Sequence, residues 1–319
     1  MQADAHLTAE IIQATGSVRG YYHRASAGDT NFGDDLNALL LPRIFPRISV
    51  NGPNLNDAPA VVLGFGTILN AQTRDSLSHH QRKFVFSSGY GYDLAKTGKL
   101  DLGADWDVRC VRGPLTARAL GLNTNAAVTD GAMLAARLLP QSQRKGSKPA
   151  FMPHITTARH GRNHWEKLCN RLGMTYLDPR DPIETLLQQV ASAAFLLTEA
   201  MHGAILADAY RTPWIALSIC DVLPFKWQDW CASLDLEYRP VALPPIWPDK
   251  VAGLTGRTKL FYKTLQIERQ LSRLLKEQPL ELSSDVMLSD RLDELEDRAA
   301  ALRSVLNNPA QSAERLTEA

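Results

Sequence analysis

Short apolar runs alternate with turns and helical segments along most of the chain. The runs 60–63, 83–87 and 107–111 have the length of strands, and each is followed by glycine or polar residues. Pro114 suits the first turn of a helix over 114–120. A strand, a turn and a helix in repeated order are typical of parallel sheets covered by helices. The pattern therefore predicts an α/β fold, whose first strand lies within 17–24.

The stretch 193–219 shows this order most completely. Residues 194–197 and 214–219 are predicted to form buried strands, and residues 204–210 to form the helix between them. Two parallel strands joined by a helix make a right-handed crossover unit. Ligands of open α/β sheets bind beyond the carboxyl ends of the strands. In this unit, that position is occupied by Glu199, His202 and Gly203.

These three residues allow a functional and a structural interpretation. His202 could bind an anion or transfer a proton near neutral pH, and Gly203 lets a ligand approach backbone amides at the helix start. Alternatively, Glu199 and His202 cap the helix and satisfy buried amides. A metal site needs further ligands nearby, and the sequence offers no convincing candidate. We therefore predict a site for a small molecule that carries phosphate or carboxylate, without metal.

Polar residues and glycines also follow the predicted strands of the first half. Asn31 to Asp35 form a glycine-containing turn before a helix that is predicted to begin near Leu36. Capping is the favoured explanation of Asp34 and Asp35, although Asn31 and Asp34 could contact a sugar, with Asp34 accepting a proton. The other candidates at this predicted sheet edge are Gly64, Gly66, Thr67, Gly89, Arg112 and Asp130.

Arg112 has a fixed charge and a planar guanidinium that suits carboxylate or phosphate. The alternative is a structural pair with a nearby acid. The loop Gly64-Phe65-Gly66-Thr67 is a weaker signal, because it has neither the third glycine of a dinucleotide-binding fingerprint nor the lysine of a P-loop.

The polar, basic stretch 140–149 contains several helix breakers and is interpreted as a linker. We predict an N-terminal domain over 1–140, a second α/β domain over 150–255 and a helical tail over 256–319. The second domain starts with a strand over 150–153 that leads to His154. Two such domains facing each other would form a cleft, where small-molecule sites concentrate.

The tail is predicted to contain helices over 258–278 and 285–306. The second helix carries an apolar stripe that would either pack on the body or pair with a second subunit: Leu288, Leu292, Leu295, Ala299, Leu302 and Leu306.

Composition narrows the class of protein. The formal net charge of the 319 residues is +1, which does not favour nucleic acid as a partner. Four scattered cysteines fit a reducing cytoplasm. The first residues do not resemble a signal peptide, and no apolar run is long enough to span a bilayer, although a peripheral contact with a membrane is compatible with the sequence.

Taken together, the segments between about residues 20 and 220 resemble the polysaccharide pyruvyltransferase family, in the branch that places ketal pyruvate on bacterial exopolysaccharides. The motifs that carry the resemblance occur in the family's order: Asn31–Asp35, Gly64–Thr67, Val111–Thr116, Asp130–Ala132, Pro153-His154 and Thr198–Ala204. Many relatives have an arginine just before the leucine-histidine-glycine of the last motif. Here that region holds Ala200 and Met201, so the anion contact must come from elsewhere, and Arg112 is the candidate.

The resemblance implies two Rossmann-like domains that face a cleft, as in the B-type glycosyltransferases. It implies phosphoenolpyruvate as the donor and a sugar acceptor, in a lipid-linked repeat unit or a polysaccharide, without metal or organic cofactor. The expected location is the cytoplasm, at the inner face of the membrane, and a homodimer is compatible with this interpretation.

The implied chemistry assigns roles to the candidate residues. His202 binds phosphate or transfers a proton, Glu199 orients it or acts as the acid, and Arg112 holds the anions of the donor. Asn31 and Asp34 bind the acceptor, with Asp34 as the base. The remaining predicted substrate contacts are Asp35, Gly66, Thr67, Gly89, Asp130, His154 and Gly203.

Two other functions compete with this one. A glycosyltransferase of the same shape would use a nucleotide sugar as the donor. A scaffold without catalytic activity would dock other proteins through the helix 285–306.

Overall fold

The computed structural model describes residues 18–23, 31–50, 58–91, 100–142, 146–220 and 223–307. Within these ranges the chain is a mixed α/β protein with two sheets, and every pairing between the named strands is parallel. This arrangement is compatible with a Rossmann-like fold. The boundaries at residues 140, 150 and 256 stay a prediction.

The first sheet has the strand order β2-β1-β3-β5-β4, with β6 pairing with β5. Its strands are β1 (Val18–Tyr21), β2 (Ile48–Ser49), β3 (Ala60–Leu63), β4 (Gly66–Leu69), β5 (Arg82–Tyr90) and β6 (Trp106–Val111). The helices of this half are α1 (Phe32–Ile44), α2 (Ala71–Ser76), α3 (Pro114–Leu120) and α4 (Ala135–Leu138). Short 3₁₀ turns occur at Thr124–Ala126 and Gly131–Leu134.

The second sheet has the order β11-β10-β9-β7-β8. Its strands are β7 (Ala150–Met152), β8 (Thr175–Tyr176), β9 (Leu196–Thr198), β10 (Trp214–Ser218) and β11 (Val241–Ala242). The helices of this half are α5 (Ile155–Arg171), α6 (Ile183–Ser192), α7 (Met201–Ala209) and α8 (Pro224–Ser233). The predicted crossover is confirmed, since β9 and β10 pair in parallel and α7 connects them.

The core follows the two-residue period of the strands. Val62 and Phe84 pack into a cluster that also contains Met152 and Leu196 of the second sheet, so the two sheets share apolar packing. Their neighbours Val61 and Val85 point to the other face of the first sheet, against α3. The far face of the second sheet is covered by α5 and by a long helix near the end of the chain.

That helix, α9 (Gly253–Glu277), is followed by α10 (Asp285–Asn307). The six apolar residues of the predicted stripe on α10 are all buried in the shared core. The stripe therefore packs on the body of the same chain. This contradicts its use as a docking surface in a scaffold or as a contact between subunits.

Two helices begin earlier in the chain than predicted. Helix α1 begins at Phe32 rather than near Leu36, because the Asp35 carboxylate accepts a hydrogen bond from the Asn31 amide (2.9 Å) at the cap. Gly33 lies inside its first turn. Helix α7 begins at Met201 rather than Ala204, with Gly203 inside it.

The predicted strand before Asp130 is wrong. Ala127 makes a single bridge to Val111, and Asp130 caps the 3₁₀ turn Gly131–Leu134. The predicted linker is in no helix or strand where it is described, and its residues 143–145 lie outside the described ranges. None of the helices in the described part of the chain is long and apolar enough to cross a membrane.

Candidate active site

A cavity of about 570 Å³ lies where the carboxyl ends of both sheets meet. This volume is within the range of small-molecule sites. The first half contributes Asn31, Asp34, Gly66 and Thr67 to its wall. The second half contributes His154, Ala200, Met201, His202 and Lys226. Six of the predicted site residues are thereby brought together: Asn31, Asp34, Gly66, Thr67, His154 and His202.

His202 lies in the first turn of α7, directly after β9. Gly33 of α1 packs on its ring so closely that an added Cβ would lie 2.2 Å from Nδ1. Burial lowers the pKa of the His202 imidazole to about 3, and the charges of Lys226 and Arg112 add to this effect. The ring is therefore neutral near pH 7. It can donate or accept a proton, but it does not supply a positive charge.

Asp130 lies behind His202 and is fully buried. Its Oδ1 accepts a hydrogen bond from the Ala132 amide (3.0 Å) and lies 3.9 Å from Nε2 of His202. Among the described residues, neither His202 Nε2 nor Asp130 Oδ2 has a hydrogen-bond partner. Burial raises the pKa of the Asp130 carboxyl to about 6. The pair is thus a polar contact with unused hydrogen-bonding capacity beside the cavity.

The start of α1 forms the part of the cavity wall that adjoins His202. Asn31 donates from Nδ2 to Oδ2 of Asp34 (2.5 Å), and both residues line the cavity. Burial raises the pKa of the Asp34 carboxyl, although the charges of His23 and Lys226 oppose this effect. Asp35 does not line the cavity and has the capping role described above. The structure therefore separates the two aspartates that the sequence places side by side.

The Arg112 guanidinium lies beneath the cavity wall and is fully buried. It donates from Nε to Oδ2 of Asp229 (3.1 Å) and from Nη1 to Oγ1 of Thr67 (2.8 Å). Asp229 also accepts hydrogen bonds from the amides of Leu115 and Thr116 (both 2.9 Å). Arg112 is not among the residues that line the cavity. Its predicted direct contact with the anions of the donor is thus corrected to support of Thr67.

The family model for polysaccharide pyruvyl transferases matches residues 31–221, which is more than half of the chain. The chain belongs to the polysaccharide pyruvyl transferase family. It is also 36% identical over 230 residues to the succinoglycan biosynthesis protein ExoV of Rhizobium meliloti (strain 1021), covering 71% of this chain and 68% of that protein. The matched range includes both cavity walls from Asn31 to His202.

Glu199 has a structural position in this pyruvyl transferase. It is fully buried, and its carboxylate accepts hydrogen bonds from the amides of His154 (2.9 Å), Ile219 (3.2 Å) and Cys220 (2.8 Å). It ties the ends of β7, β9 and β10 together. The structure does not place it in the cavity wall, so the predicted role as an acid is corrected.

Two predicted glycine contacts are also explained by packing. A Cβ on Gly89 would lie 2.2 Å from Cζ of Arg112. A Cβ on Gly203 would lie 2.7 Å from Oγ1 of Thr198 and 2.8 Å from Sδ of Met152. Gly89 lets the Arg112 guanidinium approach the backbone closely, and Gly203 lets helix α7 pack closely on Thr198 and Met152. Neither glycine lines the cavity.

His154 caps α5 and lines the cavity beside Ile155. Its Nδ1 accepts a hydrogen bond from the Thr156 amide (3.3 Å). Burial, followed by the charge of Lys226, lowers the pKa of the imidazole. The first turns of α5 and α7 thus both point at the cavity, where helix N-termini favour an anion.

Lys226 is a charged cavity residue that the sequence did not indicate. It lies in the first turn of α8, and within the described ranges its amine forms no hydrogen bond or ion pair. Burial lowers the pKa of the amine, and Asp34 acts in the opposite direction. The aromatic stretch 221–230 around it predicts either core packing or a lid, and the one lysine within that stretch was the available signal. It also lies beyond the range that the family model matches.

Across the described residues, no group of three or more His, Cys, Asp or Glu side chains is arranged to hold a metal ion. The absence of a metal and of an organic cofactor from the reaction stays a prediction.

Proposed function

We propose that this chain transfers a pyruvyl group from phosphoenolpyruvate to two hydroxyls of one sugar and forms a cyclic ketal. The family match supports the transfer of a pyruvyl group. The likeness to a succinoglycan biosynthesis protein supports an acceptor that belongs to an exopolysaccharide. The observation that carries the proposal is the cavity, in which the Lys226 amine, two helix N-termini, a neutral histidine and a carboxylate surround one volume.

The donor carries phosphate and carboxylate groups, so it needs positive charge. Lys226 takes the role that was predicted for Arg112, because its amine faces the cavity whereas the guanidinium is buried against Asp229. The first turns of α5 and α7 add their amides. Many relatives have an arginine where this chain has Ala200. Lys226 and these amides would supply the positive charge in its place.

The reaction requires one proton on the methylene carbon of phosphoenolpyruvate, which makes the central carbon electrophilic. One sugar hydroxyl adds, inorganic phosphate leaves, and the second hydroxyl closes the ring. Each hydroxyl loses its proton; one of these protons goes to the methylene carbon, and the other leaves with the inorganic phosphate. No oxidant, metal or organic cofactor enters this balance.

We assign the proton transfer at the donor to His202. The neutral ring takes up a proton that an acceptor hydroxyl releases, the Asp130 carboxylate positions and stabilises the imidazolium that forms, and the ring passes this proton to the methylene carbon. The neutral imidazole lines the cavity, and its Nε2 is 3.9 Å from Asp130, a separation that a small movement would shorten to a hydrogen bond. Asp130 replaces Glu199 in this role, because Glu199 is fully engaged by three backbone amides.

Asn31 and Asp34 are assigned to the acceptor. Asp34 lines the cavity from the first half of the chain, and its raised pKa makes the carboxylate a better base for a hydroxyl proton. In this arrangement the donor lies against the second sheet and the acceptor against the first. The cavity would then be the cleft between two Rossmann-like domains, over 1–140 and 150–255.

We further propose that the acceptor is a lipid-linked oligosaccharide and that the reaction occurs in the cytoplasm, at the inner face of the membrane. Cysteines 110, 169 and 231 are buried and none of the four forms a disulfide, as expected in a reducing compartment. A homodimer stays a prediction.

The test combines the full chain with phosphoenolpyruvate and an oligosaccharide acceptor. Release of phosphate together with a pyruvate ketal on the sugar, measured by mass spectrometry, is the expected result, and a chelator should leave the rate unchanged. Thermal stabilisation by a nucleoside diphosphate but not by phosphoenolpyruvate, with transfer of a sugar, would instead establish the glycosyltransferase.

A further inference from the structure

The beginning of α9 is unusually exposed for a helix of this length. Leu254, Phe261 and Tyr262 are 82%, 59% and 66% exposed, although large apolar residues elsewhere in the described chain are mostly buried. A spacing of seven and eight residues places all three side chains on one face of the helix. The residues that bury α9 against the body, such as Ile267 and Leu271, lie on another face, and the first buried residue, Thr264, comes about three turns after the helix begins.

Basic residues flank these apolar side chains. Between Asp249 and Glu268 the chain contains four lysines or arginines and no acidic residue: Lys250, Arg257, Lys259 and Lys263. All four are exposed. Asp249, at the edge of this segment, is engaged by Nδ1 of His160 (2.7 Å). We call Leu254, Arg257, Lys259, Phe261, Tyr262 and Lys263 the α9 patch.

The α9 patch lies at the cavity end of the fold. Helix α5 and the C-terminal segment run in the same direction, because residues later in one contact residues later in the other. The three contacts are His160 with Asp249, His164 with Thr264 and Arg171 with Glu268. Helix α5 begins at the cavity wall with His154 and Ile155. Its rise places His164 only about 14 Å further along. The exposed start of α9 is therefore near the site.

We propose that the α9 patch binds the surface of a membrane that contains anionic lipids. An apolar face flanked by lysine and arginine is the arrangement of helices that lie in the plane of a bilayer interface. Leu254, Phe261 and Tyr262 enter the interface, and the basic side chains contact anionic headgroups. A membrane-bound acceptor would then meet the cavity without leaving the bilayer.

Two other partners fit the patch less well. A symmetric pair of chains would place like charges against each other, and three apolar side chains cover much less than the roughly 800 Å² per partner of a stable interface. Nucleic acid would use the basic residues but leave the apolar side chains in water. The combination of both kinds of side chain therefore favours a lipid surface.

The experiment is sedimentation of the full chain with vesicles of phosphatidylcholine alone or mixed with phosphatidylglycerol. We expect binding to the mixed vesicles only, and weaker binding as salt is added. The double substitution Arg257→Gln/Lys259→Gln should weaken binding about thirtyfold, since each basic residue near an anionic surface contributes roughly a fivefold factor. The triple substitution of Leu254, Phe261 and Tyr262 by serine should abolish it.

The control substitution is Arg118→Gln/Lys148→Gln, which removes the same charge from exposed positions outside the α9 patch and should bind as the unaltered chain does. Circular dichroism and thermal unfolding would show that each variant keeps its fold. The proposal is overturned if the unaltered chain ignores anionic vesicles or if the control loses as much binding as the charge variant. Self-association or RNA binding that disappears in the patch variants, without vesicle binding, would also overturn it. None of these readouts depends on pyruvyl transfer.

Discussion

The carboxylates of Asp229 and Asp130 are both buried beneath the cavity wall, but they differ in how many of their oxygen atoms have hydrogen-bond partners. Asp229 is paired with Arg112 and accepts further hydrogen bonds from Leu115 and Thr116. Asp130 is equally buried, but its Oδ2 has no partner among the described residues, and the facing Nε2 of His202 has none either. Buried polar groups normally find partners, so each exception needs an explanation.

The two carboxylates belong to two different pairs, one whose hydrogen bonds hold the fold together and one that we propose takes part in the reaction. The Arg112–Asp229 pair uses its capacity internally and holds Thr67 in the wall. The His202–Asp130 pair keeps hydrogen-bonding capacity that no described residue uses, and both pKa values are displaced in the direction that neutralises the groups. Residues whose pKa is perturbed within a cleft are candidates for chemistry. We therefore expect the first pair to affect stability and the second to affect turnover.

The largest expected effect is on the free energy of unfolding of Arg112→Met. The substitution leaves the Asp229 carboxylate buried without its charged partner, which typically costs about 3–5 kcal/mol. Denaturant titration measures the loss. Arg74→Met is the matched control, because its pair with Asp75 is exposed and should contribute at most about 1 kcal/mol. Equal, small losses in both variants would contradict the scaffold role.

The next effect is on turnover in the second pair. We expect His202→Ala to lower kcat about a hundredfold or more, because it removes the group that transfers the proton. Asp130→Asn should also lower kcat and should change the pH profile of the reaction, as a positioning carboxylate would. Both variants should bind phosphoenolpyruvate and unfold near the temperature of the unaltered chain. Normal turnover in both would remove this pair from the mechanism.

Lys226→Met tests the cation that faces the cavity. Hydrogen bonds to charged groups contribute about 1.5–3 kcal/mol, so KM for phosphoenolpyruvate should rise roughly tenfold to a hundredfold, with a smaller change in kcat. Lys226→Arg should recover part of the affinity, since it keeps the charge. Lys148→Met, at an exposed position outside the cavity, is the control. An unchanged KM in Lys226→Met would show that another residue binds the phosphate and carboxylate groups of the donor.

The smallest expected effect is the pH dependence of stability, and the two members of the reactive pair act in opposite directions. The His202 pKa falls from about 6.5 to about 3 on folding, so its contribution to stability is lost as the pH falls below about 6.5. The Asp130 pKa rises from about 3.8 to about 6, so its contribution is present below 3.8 and is lost as the pH rises through 6. Between pH 4 and 6 the two slopes largely cancel.

Single substitutions should reveal each slope. In Asp130→Asn, stability should fall with decreasing pH by up to about 1.4 kcal/mol per pH unit, and in His202→Gln it should rise by a similar amount. Unfolding titrations at several pH values measure both. Slopes of the same sign in the two variants would contradict the described environment of the pair.

Much of this arrangement was predicted from local patterns. The strand runs, the crossover between β9 and β10 and the positions of His202 and His154 after strand ends all followed from periodicity and turn residues. Asn31 and Asp34 instead lie at the start of helix α1, beyond the end of β1. The same patterns could not distinguish a residue that lines the cavity from a buried residue that only holds the fold together. Arg112 and Glu199 occupy strand ends as His202 does, and only their partners from distant segments show that both are engaged inside the protein.

The sequence by itself determined the α/β class, the family and the edge of each sheet at which a site would form, because hydrophobic period and turn chemistry are local properties. Only the tertiary structure decided which polar residues face the cavity. Asp229 lies 117 residues from Arg112, Asp130 lies 72 residues before His202, and Lys226 lines the cavity from an aromatic stretch that the pattern assigned to the core or a lid. These contacts depend on how the two sheets pack together, and no local spacing in the chain records that packing.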